Sequence, residues 1–327
     1  MTRLLLEFAM AAAVALNWAE AATAQAWPTQ PITMVVPFAA GGPVDTIGRI
    51  FAARLGEVLG QQVIIENVGG AGGMIGAFRV AKATPDGYQV VLASSATHAQ
   101  NQTLYKHPLY DAATAFAPVA LLTDSPRVLI VRNDMPVKTF AEFAAYARNN
   151  QENMHYGSAG AGSGTHVCAL LLDHAMGTRI THVPYRGAGP AMQDLIAGRL
   201  DYICEQISTA APQIASHAVN AIIVLGPDRV PLLPGLVSAR EAGLADFDCG
   251  AWTALAFPKG TPDAIVRRLA AAASEVLDTP SVRRRLEALG VNVVAPERRS
   301  PEYLAKYIES EIQKWAVPIK ASGFQAE

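Results

Sequence analysis

The chain has 327 residues, of which 51% are hydrophobic and 17% are charged, and 26 basic residues nearly balance 28 acidic ones. This balance excludes the basic surplus that is typical of nucleic-acid-binding proteins, so no nucleic acid is expected as a partner. The length and the apolar content are sufficient for two domains with their own cores. After the N-terminus, no apolar run reaches the roughly 20 residues that a membrane-spanning helix needs.

Residues 1–26 have the pattern of a signal peptide. Arg3 gives a short positive region, Leu4–Leu16 is mostly apolar, and Ala24-Gln25-Ala26 fits a small-residue cleavage site. Glu7 interrupts the apolar stretch, and an ordinary first helix is the alternative. Cleavage before Trp27 predicts a periplasmic mature protein.

Strand-like and helix-like runs then alternate along the chain. In the first half, the predicted elements are a strand at Ile32–Val36, a helix at Val44–Leu59, a strand at Val63–Glu66, a helix at Met74–Ala83, a strand at Val90–Ala93, and apolar runs at Val119–Leu122 and Val128–Val131. In the second half, they are helices at Phe140–Asn149, His166–Met176 and Pro190–Ala197, strands at Ile180–Val183, Tyr202–Cys204, Ala221–Leu225 and Trp252–Phe257, and terminal helices at Pro262–Leu277, Ser281–Leu289 and Pro301–Ala321. This alternation predicts an α/β fold with a parallel or mixed sheet and helices on both faces.

The chain contains no low-complexity linker, so two domains would have to be joined by strands that cross between them. We expect these crossings near Leu121–Val128 and near Cys249–Phe257. The prediction is a discontinuous domain 1, residues 27–124 plus 250–327, with domain 2, residues 125–249, inserted into it. Ligands of such α/β lobes bind at the carboxyl ends of the strands.

Two glycine-rich turns each connect a strand-like run to a helix-like run. The first is Phe38–Asp45 and the second is Gly157–His166. Backbone N–H groups at a helix start that follows small residues can bind an anion. If the two turns face each other, the protein closes around a small carboxylate or phosphate.

Motifs for nucleotides and metals are missing from the sequence. No G-x-x-x-x-G-K-[ST] occurs, and Gly69–Gly73 fails the dinucleotide pattern because Ile75 stands where the third glycine belongs. The seven histidines form no H-x-x-x-H and no H-E pair. We therefore expect neither a cofactor nor a metal.

A serine hydrolase is the enzymatic alternative. Ser95, Ser158 and Ser163 stand between strands and helices, and His98 and His166 follow closely in sequence. No G-x-S-x-G elbow surrounds them, and hydroxyls beside glycines more often bind a ligand or cap a helix. A hydrolase that uses Ser163 or Ser95 remains the second hypothesis.

Three charged residues are candidates for the binding site. Asp45 can cap the helix that follows the first turn. Glu205 ends a strand and is the carboxylate expected to face an amine or a hydroxyl of the ligand, whereas Arg186 could bind a carboxylate or be a surface charge. The three cysteines form no C-x-x-C pair; we expect buried thiols, and a Cys204–Cys249 disulfide stays open.

Seven blocks of residues, taken in order, resemble the Bug family of extracytoplasmic solute receptors, the binding components of tripartite tricarboxylate transporters. The blocks begin with Trp27-Pro28 through Pro31-Ile32 and Val36-Pro37-Phe38 with Gly41-Gly42-Pro43-Val44-Asp45. They continue with Glu66-Asn67 and Gly70-Ala71-Gly72-Gly73-Met74-Ile75-Gly76, Pro85-Asp86-Gly87-Tyr88, Tyr156-Gly157-Ser158-Ala159-Gly160, His182-Val183-Pro184-Tyr185-Arg186-Gly187, and Leu232-Leu233-Pro234. The resemblance covers essentially the whole mature chain.

This resemblance implies a two-lobed periplasmic binding protein of type II-like architecture, not an enzyme, whose α/β lobes are joined by hinge strands. In the family, backbone amides and ordered waters hold the ligand carboxylate. The matching ligand-binding positions are Phe38, Ala39, Gly41, Asp45, Ser94 and Ser95 in the first lobe and Ser158, Ala159, Gly162, Ser163 and Thr165 in the second, with specificity expected from His98 and Glu205.

The chain departs from the family at two places. Ala39-Ala40 replaces a proline-rich turn, and Glu205-Gln206 replaces an Asp-Asn pair, which bears on the chemical group at the far end of the ligand. The expected partners are a small carboxylate and the membrane components of a tripartite tricarboxylate transporter. The receptor is expected to be monomeric, and an orphan or sensory carboxylate receptor is a further alternative.

Overall fold

The computed structural model describes residues 27–326, so the predicted signal peptide lies outside the described residues. The strands in chain order are β1 (Ile32–Val36), β2 (Val63–Asn67), β3 (Gln89–Ser94), β4 (Phe116–Ser125), β5 (Arg127–Arg132), β6 (His155–Ser158), β7 (Thr181–Pro184), β8 (Tyr202–Gln206), β9 (Val219–Val224), β10 (Ala251–Pro258) and β11 (Asn292–Val293). They form a six-stranded sheet in the order β11–β4–β10–β3–β1–β2 and a five-stranded sheet in the order β7–β6–β8–β5–β9.

Helices cover both sheets. In chain order they are α1 (Pro43–Leu59), α2 (Met74–Ala81), α3 (Asn101–Leu104), α4 (Phe140–Asn150), α5 (Gly164–Met176), α6 (Ala188–Ile196), α7 (Ile207–Ala215), α8 (Asp263–Asp278), α9 (Pro280–Glu287) and α10 (Pro301–Ala321). A π-helical turn, Ala96–Gln100, precedes α3. None of the helices described within residues 27–326 combines the length and the apolar character that a bilayer crossing requires.

Both sheets are mixed. In the first sheet β1 is parallel to β2 and β3, whereas β10 runs antiparallel to β3 and β4. In the second, β6 is parallel to β7 and β8, and β5 is antiparallel to β8 and β9. These sheets, with their helices, confirm the predicted α/β class.

The chain passes from the first sheet to the second at Pro126, between β4 and β5, and it returns before β10. The two crossings lie side by side, because Ala251 at the start of β10 pairs with Ser125 at the end of β4. The last helix, α10, packs against the first sheet, where the buried indole of Trp252 donates a 2.9 Å hydrogen bond to Glu311. The C-terminal elements therefore accompany the N-terminal sheet.

Prolines account for two differences from the predicted elements. Helix α7 was not predicted, because Pro212 interrupts its helical pattern, yet the helix continues through that residue. Strand β4 is longer than its apolar run and includes Pro118, which lies at an irregularity in the pairing with β10.

All three cysteines are buried free thiols in the structure. The thiol of Cys168 on α5 makes hydrogen-bonding contacts with both Cys204 and Cys249, and burial raises the pKa of all three. The cluster therefore behaves as apolar packing at neutral pH rather than as reactive thiolate. The expectation of buried thiols is confirmed.

Candidate functional site

A small cavity lies between the two sheets, at the carboxyl ends of β1, β3, β6 and β8. Its volume is about 30 Å³. The lining residues are Phe38, Gly42, Pro43, Val44, Ser94, Ser95, Ala96, Arg127, Ala159, Ser163, Gly164, Thr165, Ala188 and Gln206. Both glycine-rich turns contribute to this lining, so the structure brings them together.

The first glycine-rich turn leads directly into the start of α1 at the cavity. Gly42 caps the helix and Pro43 occupies its first turn, where the missing N–H of proline costs nothing. The free N–H groups of a first helical turn have no partner within the helix. The backbone of Val44 therefore offers a donor at the cavity wall, together with the positive end of the dipole of a 17-residue helix.

Asp45 holds the first turn in place and does not line the cavity. Its carboxylate accepts hydrogen bonds from the Gly41 N–H at 3.0 Å, the Arg49 guanidinium at 2.9 Å and the Asn67 amide at 2.9 Å. Burial acts to raise the pKa of Asp45, but these three hydrogen bonds outweigh it and lower the pKa below its usual range. Asp45 is therefore an ionised brace for the loop.

The second turn leads into the start of α5, which faces the same cavity. The Ser163 hydroxyl caps this helix by accepting a 3.3 Å hydrogen bond from the His166 N–H. The Thr165 hydroxyl accepts a 2.8 Å hydrogen bond from the Ala159 N–H and lies 3.0 Å from the Ser163 hydroxyl. These contacts leave the backbone N–H groups of Gly164 and Thr165 for a ligand.

Arg127 adds a buried positive charge, and the sequence prediction missed it. Its side chain is only 2% exposed, and one nitrogen of its guanidinium donates a 2.6 Å hydrogen bond to the Cys249 carbonyl. The guanidinium packs against Gly164, where a Cβ would collide with it. The available signal was an arginine at the start of an apolar run, at a point where the chain was expected to cross between domains.

The loops of the two sheets touch above the cavity and close it. The Ala39 N–H donates to the Arg186 carbonyl at 3.3 Å, and the Tyr105 hydroxyl donates to the Ala161 carbonyl at 2.9 Å. Gly72 packs directly on the backbone of Gly162, leaving no room for a side chain. The structure is therefore a closed arrangement of the two halves.

The predicted ligand-binding residues fall into three groups. Six of them line the cavity: Phe38, Ser94, Ser95, Ala159, Ser163 and Thr165. Five others, Ala39, Gly41, Asp45, Ser158 and Gly162, lie within or beside the two turns and hold their backbones by hydrogen bonds. The remaining two, His98 and Glu205, lie outside the lining, and Gly42, Pro43, Val44, Ala96, Arg127, Gly164, Ala188 and Gln206 line it without having been predicted.

His98 is fully buried in the π-helical turn behind the cavity wall. Its ring centroid lies 4.4 Å from that of Phe116, and its Nδ1 is 2.9 Å from the Thr97 hydroxyl. Burial lowers the pKa of His98 to about 3, so the ring is neutral at physiological pH. The structure gives His98 a packing role.

Glu205 points away from the cavity because strand residues alternate between the two faces of a sheet. Its neighbour Gln206 lines the cavity instead, while the Glu205 carboxyl accepts a 2.8 Å hydrogen bond from the Gln206 N–H and contacts Thr209 of α7. Burial raises the pKa of Glu205 to about 7.

Replacing Glu205 by glutamine should change how stability depends on pH. Folded Glu205 keeps its proton up to about pH 7, whereas the unfolded chain releases it near the ordinary value of 4.5. Its contribution to stability is therefore complete below pH 4.5 and is lost as pH rises to 7. Since the variant mimics the protonated form, we expect it to gain roughly 3 kcal/mol over wild type between pH 4.5 and 8, at 1.36 kcal/mol per pKa unit.

Melting temperatures measured across this pH range check this expectation. The exposed Glu275→Gln variant on α8 is the control for the loss of one surface carboxylate. The buried histidines are present in wild type and in both variants. Their contribution to the pH dependence of stability therefore cancels when a variant is compared with wild type. A constant difference between Glu205→Gln and wild type would contradict the raised pKa.

No serine of the described turns has the surroundings of a catalytic nucleophile. The Ser158 hydroxyl lies 2.6 Å from Nε2 of His182, but Ser158 is fully buried and does not line the cavity. That imidazole stacks on His166 with ring centroids 4.1 Å apart, and burial lowers the pKa of His182 to about 4. The hydroxyl of Ser163 contacts the Thr165 hydroxyl and the His166 backbone N–H rather than an imidazole ring.

A larger groove, of about 760 Å³, lies beside the crossing strands. Its lining includes the acidic residues Asp124, Asp228, Asp248, Glu287 and Glu311, which outnumber the basic residues Arg229, Arg298 and Lys314. This charge suits an anion poorly, whereas the small cavity has two helix starts, an arginine and no acidic side chain in its lining. Within residues 27–326 no cluster of histidine, cysteine and acidic side chains could hold a metal.

Residues 47–324 match the profile of the tripartite tricarboxylate transporter family receptor, TctC. The chain belongs to this family. The match covers most of the sequence and includes the start of α5, whereas the first turn and the start of α1 precede it. The predicted Bug-type resemblance is therefore confirmed, and family and fold are those of solute-binding receptors rather than enzymes.

Solved structures of similar proteins support this family assignment. MatC from Rhodopseudomonas palustris with bound malate is 42% identical, with a TM-score of 0.88 over 90% of this chain and 100% of that one. The periplasmic binding protein BugD is 36% identical, with a TM-score of 0.90 over 92% of this chain and 100% of its own. Another R. palustris protein, solved with adipate, is 33% identical, with a TM-score of 0.86 over 91% of this chain and 99% of that one.

Proposed function

We propose that this receptor captures a small organic carboxylate between two lobes in the periplasm and delivers it to the membrane components of a tripartite tricarboxylate transporter. The observation that carries the proposal is the convergence of two helix starts, α1 and α5, on one cavity without acidic residues in its lining. Relatives solved with malate and adipate support the ligand class. A periplasmic relative supports the location.

The lobes of the proposal correspond to residues 27–124 plus 250–327 and residues 125–249. Each range contributes one of the two sheets, apart from the residues at the crossings, and this supports the division. In our proposal, the N–H groups of Val44, Gly164 and Thr165 bind a ligand carboxylate. The Ser95 hydroxyl, which is buried and has no hydrogen-bond partner within the described chain, supplies a further donor.

Hinge closure is the proposed mechanism. A ligand that contacts both lobes binds the closed form more tightly than the open one, so it shifts the equilibrium towards closure by that difference in affinity. The hinges would be the two crossings, at Pro126 and before Ala251, because within residues 27–326 the backbone passes between the sheets only there. The membrane components would then recognise the closed form.

A thermal-shift screen followed by calorimetry tests the proposal. The panel contains malate, succinate, adipate and monocarboxylates of matched length, with inorganic phosphate as an anion of different shape. At a ligand concentration of 100 Kd we expect a stabilisation of about 2.7 kcal/mol, which raises the melting temperature by several degrees. The proposal would be contradicted if phosphate alone stabilised the receptor, or if none of the carboxylates did.

Uptake measurements separate transport from a sensory role. Cells that carry the receptor and the transporter components should accumulate a labelled carboxylate identified by the screen, and deletion of the receptor should abolish this uptake. Uptake that is unchanged by the deletion would favour the orphan or sensory alternative.

A further inference from the structure

Arg127 is a buried cation. Its charge acts on the buried carboxyl of Glu205, but burial raises the pKa of that carboxyl to about 7, so it is a weak counter-ion. The side chain of Arg127 is 2% exposed, and no salt bridge to it occurs among the residues that the structure describes. Its hydrogen bond to the Cys249 carbonyl occupies one nitrogen, and Nε has no partner within residues 27–326. Burying an unpaired charge is costly, so such groups are normally paired with an anion.

The position of Arg127 suggests which anion pairs with its guanidinium. The side chain lines the same cavity as the starts of α1 and α5. Two other cavity-lining atoms, the Ser95 hydroxyl and the Gln206 side-chain oxygen, are also buried without partners in the described chain. One cavity thus combines unsatisfied polar groups, two helix dipoles and a full positive charge.

We infer that Arg127 binds a second carboxylate of the ligand, so that the receptor selects short dicarboxylates over monocarboxylates of the same length. The inference rests on the proposed function and names the substrate class. One carboxylate occupies the helix starts, where it accepts hydrogen bonds from the backbone N–H groups. The other pairs with the guanidinium, whose planar fork matches a carboxylate in a bidentate geometry.

The size of the cavity favours a short acid. With the loops of the two halves in contact, its volume is only about 30 Å³. A short diacid therefore needs the least enlargement of the cavity and leaves the contacts between the loops in place. A long diacid would hold Gly72 and Gly162 apart and forfeit the contacts that close the structure.

Arg127 also connects the cavity to both crossings. It follows Pro126 at the start of β5, and its guanidinium bonds the Cys249 carbonyl just before β10 begins. Its own carbonyl accepts a 2.8 Å hydrogen bond from the Leu225 N–H. A carboxylate on Arg127 would therefore brace the two crossing segments in the closed arrangement.

Calorimetry with matched acids tests the inference. The probes are malate against 2-hydroxybutyrate and succinate against butyrate, since each pair shares a four-carbon chain and differs by one carboxylate. Wild type should bind the diacid of a pair at least about tenfold more tightly. Arg127→Gln should lose about 10- to 100-fold in affinity for the diacid, as expected for a hydrogen bond between charged groups, and less than threefold for the monoacid.

Two further variants make the result decisive. Arg268→Gln removes the same charge from an exposed position on α8 and should leave all four affinities within twofold of wild type. Arg127→Lys keeps the charge without the planar fork and should retain a weaker preference for the diacid. This variant provides the test if Arg127→Gln does not fold.

Three results would overturn the inference. If the Arg127 variants lost the same affinity for the diacid as for the monoacid, Arg127 would only support the loops. The proposed function would remain intact. Tighter binding of the monoacids by wild type would have the same consequence. If no carboxylate binds wild type, both the inference and the proposed function fail.

Discussion

Replacing Gly72 by alanine is expected to stop the lobes from closing fully and to weaken carboxylate binding at least tenfold. Gly72 has φ of +59° and touches the opposite lobe. A Cβ there would overlap the carbonyl carbon of Gly162 and lie 2.6 Å from the Ala161 carbonyl oxygen. Both are backbone atoms and cannot rotate away, so the closed form loses its tightest contact while the open form is unaffected.

Gly60→Ala is the matched control for Gly72→Ala. Gly60 ends α1 with φ of +70°, and a Cβ there would meet no atom within 4 Å. Both variants carry the strain of a left-handed alanine, about 1 kcal/mol, but only Gly72→Ala obstructs closure. The measurements are affinity by calorimetry and the radius of gyration by small-angle X-ray scattering, with and without malate. Equal ligand-induced compaction in both variants would refute the role of Gly72.

Replacing Asp45 by alanine is expected to cost about 2–3 kcal/mol of stability, because charge-assisted hydrogen bonds of a buried carboxylate are lost. It should also weaken carboxylate binding about tenfold, ~1.4 kcal/mol, through disorder of the first turn rather than through a lost ligand contact. The reason is that the Gly41 N–H and the Asn67 amide both depend on Asp45, which is 3% exposed and does not line the cavity.

Asp263→Ala is the control for Asp45→Ala. Asp263 opens α8 and pairs with Arg267 four residues later at 2.7 Å, as Asp45 does with Arg49 on α1, but its side chain is 74% exposed. Exposed pairs of this kind contribute about 0–1 kcal/mol, so melting temperature and affinity should change little. A crystal structure of Asp45→Ala with an unchanged first turn would contradict the proposed brace.

The pattern of apolar residues predicted most of the strands and helices of the fold. Strand β1 and helix α10 have the predicted bounds, because an uninterrupted apolar run and a proline-led amphipathic run leave few alternatives. Helix α7 escaped prediction because Pro212 suggests a break, and its packing on the second sheet overrides that local preference. The two glycine-rich turns could be recognised from the sequence alone. Small residues followed directly by a helix start can bind an anion, and both features are visible in the local sequence.

The remaining part of the site depends on contacts that local sequence does not contain. Gln206, and not Glu205, reaches the cavity because the register of β8 against β5 decides which face each residue occupies. Arg127 is far from both turns in sequence and meets Gly164 only when the sheets are assembled. An arginine before an apolar strand looks like a surface charge until the tertiary structure buries it.

A crystal structure of the receptor with malate would show directly where the two carboxylates bind. We expect closed lobes with one carboxylate at the starts of α1 and α5, within hydrogen-bonding distance of the Val44 and Thr165 N–H groups, and the other on the guanidinium of Arg127. Malate in the groove lined by Trp252 and Lys314, or lobes that stay open around a bound ligand, would contradict this expectation.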